Sequence, residues 1–172
     1  MNTDSLDPNW IRDWAAAVTA HLQSVLAAFD TYYPFPPGEN EVVLAAPDQL
    51  DSLDALRAQP ATPPDLVTFY KVINEVAMPD IGNAFFIHTA DATISQLSDG
   101  PALLNDGDEG TIFASNGGGI LYAIGRDSRV HRSHAASPDS DFEPIAPNLR
   151  DFLEQLRDAV AHFAATGTPG DL

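Results

Sequence analysis

Three consecutive glycines, Gly117-Gly118-Gly119, lie between two short apolar runs, 111–115 and 120–124. Glycine runs of this kind serve two different chemistries. They cradle a phosphate when they open a helix, because the helix N-terminus supplies free amides and the positive end of a dipole. They fold back a β-ribbon when another strand follows. Here Ile120-Leu121-Tyr122-Ala123-Ile124 follows, closed at once by Gly125-Arg126-Asp127, and that pattern reads as a strand. Gly117, Gly118 and Gly119 are therefore expected to form a structural turn, the alternative being an enzyme that holds a phosphorylated small ligand in this loop.

The other chemically capable residues are scattered. His131 and His134 are three apart, but they fall at a strand end and in a loop, without a Glu or Cys at supporting spacing for a metal. His88 closes an apolar segment, the ordinary setting of a surface or hydrogen-bonded imidazole. Asp106-Gly107-Asp108-Glu109-Gly110 is superficially like a calcium loop. It lacks the alternating oxygen ligands and the closing Glu of an EF-hand, which leaves a solvated acidic loop. Ser115 precedes Asn116-Gly117, not the helix of a hydrolase nucleophile elbow. No catalytic set emerges, and no enzymatic activity, cofactor or metal is expected.

Charge narrows the partners. Twenty-five acidic residues face eight basic ones, for a formal net charge of −17. Nucleic acid and anionic membrane both need Lys and Arg to neutralise phosphates, so neither is an expected partner. A basic protein is, since complementary charge accelerates encounter. There is no cysteine, which excludes disulfides, thiolate zinc sites and a cysteine nucleophile. The opening residues 1–5 lack the basic start of a secretory signal, and no apolar run approaches the ~20 residues of a membrane span. A cytoplasmic location is the expectation.

The elements that must position these residues follow from periodicity. Asp7 is placed to cap a helix with Pro8 in its first turn, and Trp10, Trp14, Val18, Leu22, Val25 and Phe29 fall on one face of 9–29. The Pro-rich stretch from Tyr33 to Gly38 ends it. A short strand is expected within 39–46. A second helix should open at Pro47 and bury Leu50, Leu53 and Leu56. A third should be capped by Thr62 and carry Leu66, Phe69, Tyr70 and Ile73 on one stripe.

Segment 84–88 reads as a strand and 99–110 as a loop, while 111–115, 120–124 and 129–131 read as an antiparallel meander. A polar loop over 133–144 leads to a last helix. Asn148 caps it, Leu149, Phe152, Leu153, Leu156, Val160 and Phe163 form its stripe, and Gly167 and Pro169 end it. Helices first, sheet next and helix last give an α+β fold: N-terminal helices, a central antiparallel or mixed sheet of about four to six strands, and a C-terminal helix packed on it. The chain divides into a helical extension with its Pro-rich turn (1–38), an α+β domain (39–165) and a flexible tail (166–172).

This order of segments resembles a known family. Pro63-Pro64-Asp65-Leu66-Val67-Thr68-Phe69-Tyr70-Lys71-Val72-Ile73-Asn74 is similar to the Leu-Pro, aromatic, Asn-Gly helix near the start of the SUKH superfamily domain, also called the Smi/Knr family. Residues 112–124 resemble its central hairpin, in which an apolar strand meets a Gly-rich turn and an aromatic-bearing strand. Ile145-Ala146-Pro147-Asn148-Leu149-Arg150-Asp151-Phe152-Leu153 is similar to the segment leading into its last helix. The likeness spans about residues 45–163 and rests on order and spacing. Pro63-Pro64 replaces a Leu-Pro pair, and Glu75 stands where a Gly is common.

The resemblance implies a non-enzymatic binding domain. Bacterial members are commonly immunity proteins that bind and neutralise a cognate toxin, whereas fungal members act as interaction scaffolds. With a basic toxin as the partner, the loop carboxylates Asp99, Asp106, Asp108 and Glu109 are the expected contact residues.

Overall fold

The computed structural model describes residues 6–170 and 172. The residues read for a targeting signal, 1–5, and Asp171 of the tail lie outside this range. Helix α1 (Pro8–Tyr32) begins as its cap dictates: Asp7 accepts the Asn9 amide at 2.7 Å, and Pro8 occupies the first turn. Ile11, Trp14, Ala15, Val18, Leu22 and Phe29 are buried, with Trp10 and Val25 packed at the margin of the core. At the far end α5 (Leu149–Thr166) is capped by Asn148, which accepts the Asp151 amide at 2.7 Å. Gly167 terminates it in a left-handed conformation, the backbone state glycine adopts most cheaply.

These two helices bind each other. The Trp14 indole N–H donates to the Leu153 carbonyl at 2.6 Å, and the Arg150 guanidinium lies 4.8 Å from the Trp10 ring centre. Residues of α1, the sheet and α5 belong to one apolar cluster, so the boundary drawn at residue 38 runs between elements that share a core.

Strand β1 (Glu41–Leu44) leads through a 3-10 turn (Pro47–Gln49) into α2 (Leu50–Arg57). Leu53 and Leu56 are buried as expected, but Leu50 is 65% exposed. Steps of three fall short of a helical turn, so Leu50 lies about 120° around the axis from Leu56.

Helix α3 (Pro64–Tyr70) is capped by Pro63, not Thr62, whose hydroxyl sits 3.3 Å from that of Thr111 instead. Ile73 is not on this helix. The chain turns at Lys71-Val72 and begins β2 (Ile73–Met78), where the β-branched Val72, Ile73 and Val76 favour extended backbone.

Strand β3 (Phe85–Ile87) falls where a strand was expected, but α4 (Ala90–Ser98) was not foreseen. Thr89 caps it through the Ala92 amide at 3.2 Å. The expected loop 99–110 contains β4 (Ala102–Leu103) and the start of β5 (Glu109–Asn116). After β6 (Leu121–Gly125) and β7 (Val130–Ser133), the supposed polar loop 133–144 holds the start of β8 (Phe142–Ala146). Its Pro144 is tolerated because β8 is an edge strand.

The fold is α+β, with eight strands among the described residues instead of four to six. The order is β1-β2-β3-β5-β6-β7-β8, with β4 added to β5, and every pairing is antiparallel. The inner face carries Val42, Val76, Ile87, Ala114, Tyr122, Ile124 and Val130 against the helical layer.

The tail also docks. A Cβ at Gly170 would lie 2.7 Å from the Ala159 Cα, and the Leu172 carbonyl accepts from Arg132 at 2.8 Å. No helix among the described residues is long and apolar enough to cross a membrane.

Candidate functional site

Side chains of a strand alternate between faces, so the register fixes which residues meet on the outer face. Glu41 pairs with Ala77, Val43 with Glu75, Ala77 with Phe86, Phe86 with Ser115 and Ser115 with Leu121. Farther across, Ile112 pairs with Ala123 and Ala123 with His131. The β5–β8 part of this face is roofed by the chain around Ala102 and Leu104, which form a small second core with Ile112, Ala123 and Phe142. The part built from β1, β2 and β3 is left open. It forms a shallow groove of about 290 Å³ whose lining includes Glu75, Ala77, Phe86, His88, Thr89 and Ser115.

His88 is held from two sides. Its Nε2 lies 2.8 Å from the Ser115 hydroxyl, and its carbonyl accepts from the Tyr70 hydroxyl at 2.7 Å. That hydroxyl, buried at the foot of α4, is also 2.9 Å from Thr93 Oγ1. Burial raises the Tyr70 pKa well above the ordinary phenol value, so it remains a neutral donor. Burial lowers the His88 pKa below its ordinary 6.5, favouring a neutral imidazole.

A neutral His against a Ser hydroxyl is the inner pair of a nucleophilic arrangement. Among the described residues no carboxylate hydrogen-bonds His88, so the orienting acid of a triad is missing. What the groove presents is an aromatic ring, a hydroxyl, an imidazole and the half-buried carboxylate of Glu75.

The electrostatics of this half are one-sided. No Lys or Arg occurs between Arg12 and Arg57, nor between Lys71 and Arg126. Pairing of β1 with β2, and packing of α2 on α4, bring these two cation-free stretches together. Glu75 lines the groove and Glu41 pairs cross-strand with its lining residue Ala77, neither with an ion pair among the described residues, while Asp91 accepts a hydrogen bond from Ser52 of α2. The arginines pair mostly on the opposite side: Arg129 with Asp127, Arg132 with Glu143, Arg150 with Glu154 and Arg157 with Asp158.

The residues singled out from sequence lie elsewhere. Gly117-Gly118-Gly119 joins β5 to β6, and Asn116 Oδ1 accepts the amides of Gly118 and Ile120 at 3.0 Å each. Ile120 and β6 follow Gly119 directly, so the glycines do not open a helix. Gly117 is required by a close approach, since a Cβ there would meet the Asn83 carbonyl at 2.5 Å.

Asp106 and Asp108 share the exposed β4–β5 turn, where Asp106 accepts the Asp108 amide at 3.1 Å. Glu109 is the first residue of β5, not a loop residue, and pairs with Leu103. Asp99 is exposed at the end of α4. None of these four carboxylates lines the groove.

His131 is buried and neither ring nitrogen has a partner among the described residues, whereas exposed His134 lies 3.2 Å from Glu143. No group of three or more His, Cys, Asp or Glu among the described residues is arranged to hold a metal. The groove was missed because Ile73 was read as the last position of a helical stripe and no strand was expected after it, while His88 and Ser115 were considered only singly. The alternation of Val43 and of Glu75 with Ala77 was the available signal. No protein-family model matches this chain, and no curated protein is significantly similar to it.

Proposed function

We propose that this chain is a cytoplasmic, non-enzymatic protein-binding domain of the immunity type, which binds and neutralises a basic toxin. The observation that carries the reading is the one-sided acidity: two cation-free stretches, distant in sequence, become neighbours around an open sheet face. Such a field speeds association with a basic partner and rejects acidic ones. The segment order shared with the SUKH superfamily supports the same reading. An inhibitor of this kind needs no chemistry of its own, because occluding the toxin's active site suffices.

The test is co-expression of the chain with each neighbouring gene whose product arrests growth. Rescue by the chain, with co-purification of the two proteins, is the expected result. Absence of rescue for every toxic neighbour defeats the proposal, and the scaffold or regulatory role of the fungal SUKH branch then takes its place.

A further inference from the structure

The geometry points to the open half of the outer sheet face as the docking surface, with an Arg- or Lys-bearing segment of the partner seated in the groove between Phe86 and Glu75. This inference rests on the protein-binding reading above and adds the face and the chemistry of its occupant.

Three observations converge on it. The groove is lined along one flank by Glu75 and floored by half-buried Phe86, a carboxylate and a ring face at one site. A guanidinium or ammonium stacked on an aromatic ring and paired with a carboxylate satisfies its charge twice, while its methylene stem covers apolar surface. Glu41 adds a second carboxylate, cross-strand from the lining residue Ala77. Within the strands and the helix that build the groove there is no Lys or Arg to compete for these carboxylates.

His88 fits the same occupant. Its imidazole, kept neutral by its surroundings, adds no repelling charge to a cationic guest. Its bond to Ser115 fixes the wall of the groove without consuming Glu75.

A second copy of this chain is a poor occupant. Two bodies of charge −17 repel, and the groove would place carboxylates against carboxylates. The β4–β5 turn carrying Asp106, Asp108 and Glu109 is acidic as well, but none of the three lines the groove. It therefore contributes long-range attraction and not the seat.

The experiment titrates the isotopically labelled full-length chain with an oligo-arginine peptide at low salt and follows amide resonances. Saturable shifts concentrated on Phe86, His88, Ser115 and the segment around Glu75 are expected. The double variant Glu75→Gln with Phe86→Ala should bind about tenfold more weakly while retaining its dispersed spectrum. Shifts spread evenly over all acidic residues, or centred on 99–110, overturn the assignment.

Growth rescue separates the two claims. If the wild-type chain rescues a toxic neighbour and Glu75→Lys rescues it equally, the face is wrong and the immunity reading stands. If Glu75→Lys and Phe86→Ala each abolish rescue but Asp106→Lys does not, the face is right. If the wild-type chain rescues nothing, the function falls, and the peptide titration still decides the groove.

Discussion

On the outer face of the sheet, Phe142 is fully buried at one side, while Phe86 is half-buried at the other. Both are strand phenylalanines pointing away from the helical layer. The difference lies in what passes over them. The chain around Ala102 and Leu104 closes on Ile112, Ala123 and Phe142, turning that side into a second small core. Among the described residues nothing equivalent crosses β1, β2 and β3, where Glu75 lines the groove and Glu41 pairs with Ala77. One half of the face therefore holds the fold together, and the other half is left as a shallow groove.

The strongest way to break this comparison is truncation of the two phenylalanines. Phe142→Ala should destabilise the protein by about 3–5 kcal/mol, because it empties a closed apolar site. Phe86→Ala should cost about 1 kcal/mol or less, since its ring is already part-solvated. Urea unfolding of both variants measures the gap, and equal losses would mean that the open half is packed after all.

The hairpin that spans both halves gives the next effect. Gly117→Ala must push the Asn83 carbonyl from a 2.5 Å contact and should cost about 1–3 kcal/mol, read as a lower urea midpoint.

A pH effect belongs to the open half. The His88 pKa is lowered in the folded state by burial, so the unfolded chain takes up the proton first as pH falls. Stability is therefore constant above the ordinary histidine pKa and declines as pH falls through it, levelling once the folded pKa is passed. Urea midpoints between about pH 7 and about pH 5.5 should fall more for the wild type than for His88→Gln. Parallel slopes would show that His88 is not the group responsible.

The smallest effect is expected on the covered half. His131 is buried there with two unpartnered nitrogens, so His131→Leu removes polar atoms that contribute no bond. Its melting temperature should stay the same or rise. A marked fall would reveal a partner for the imidazole, such as an ordered water.

Legibility from sequence followed how local each determinant was. Asp7, Pro8, Asn148 and Gly167 act within a turn of their own helix, and α1 and α5 formed where these residues placed them. Ile73 misled because it is seven residues after Leu66, a spacing that suits a helical stripe as well as the start of a strand. Helix α4 carried readable signs in the Thr89 cap and in Ala90, Thr93, Ile94 and Leu97, but its apolar content is modest. Strand β8 was hidden by Pro144, which argues against a strand until the sheet edge is known.

The candidate groove was less legible than any element. Glu75, Phe86 and Ser115 lie on three different strands and His88 just after β3, and no local pattern joins them.

The amino-acid order alone determined the α+β class, the two long helices with their caps, the glycine turn and an acidic chain with two stretches free of cations. Only the tertiary structure decided that those stretches meet, that Ser115 reaches His88, and that one half of the sheet's outer face is roofed while the other is open. The reason is physical. Caps and periodicity act over a few residues, whereas strand partners and coverage are chosen by which apolar faces are buried across the whole chain.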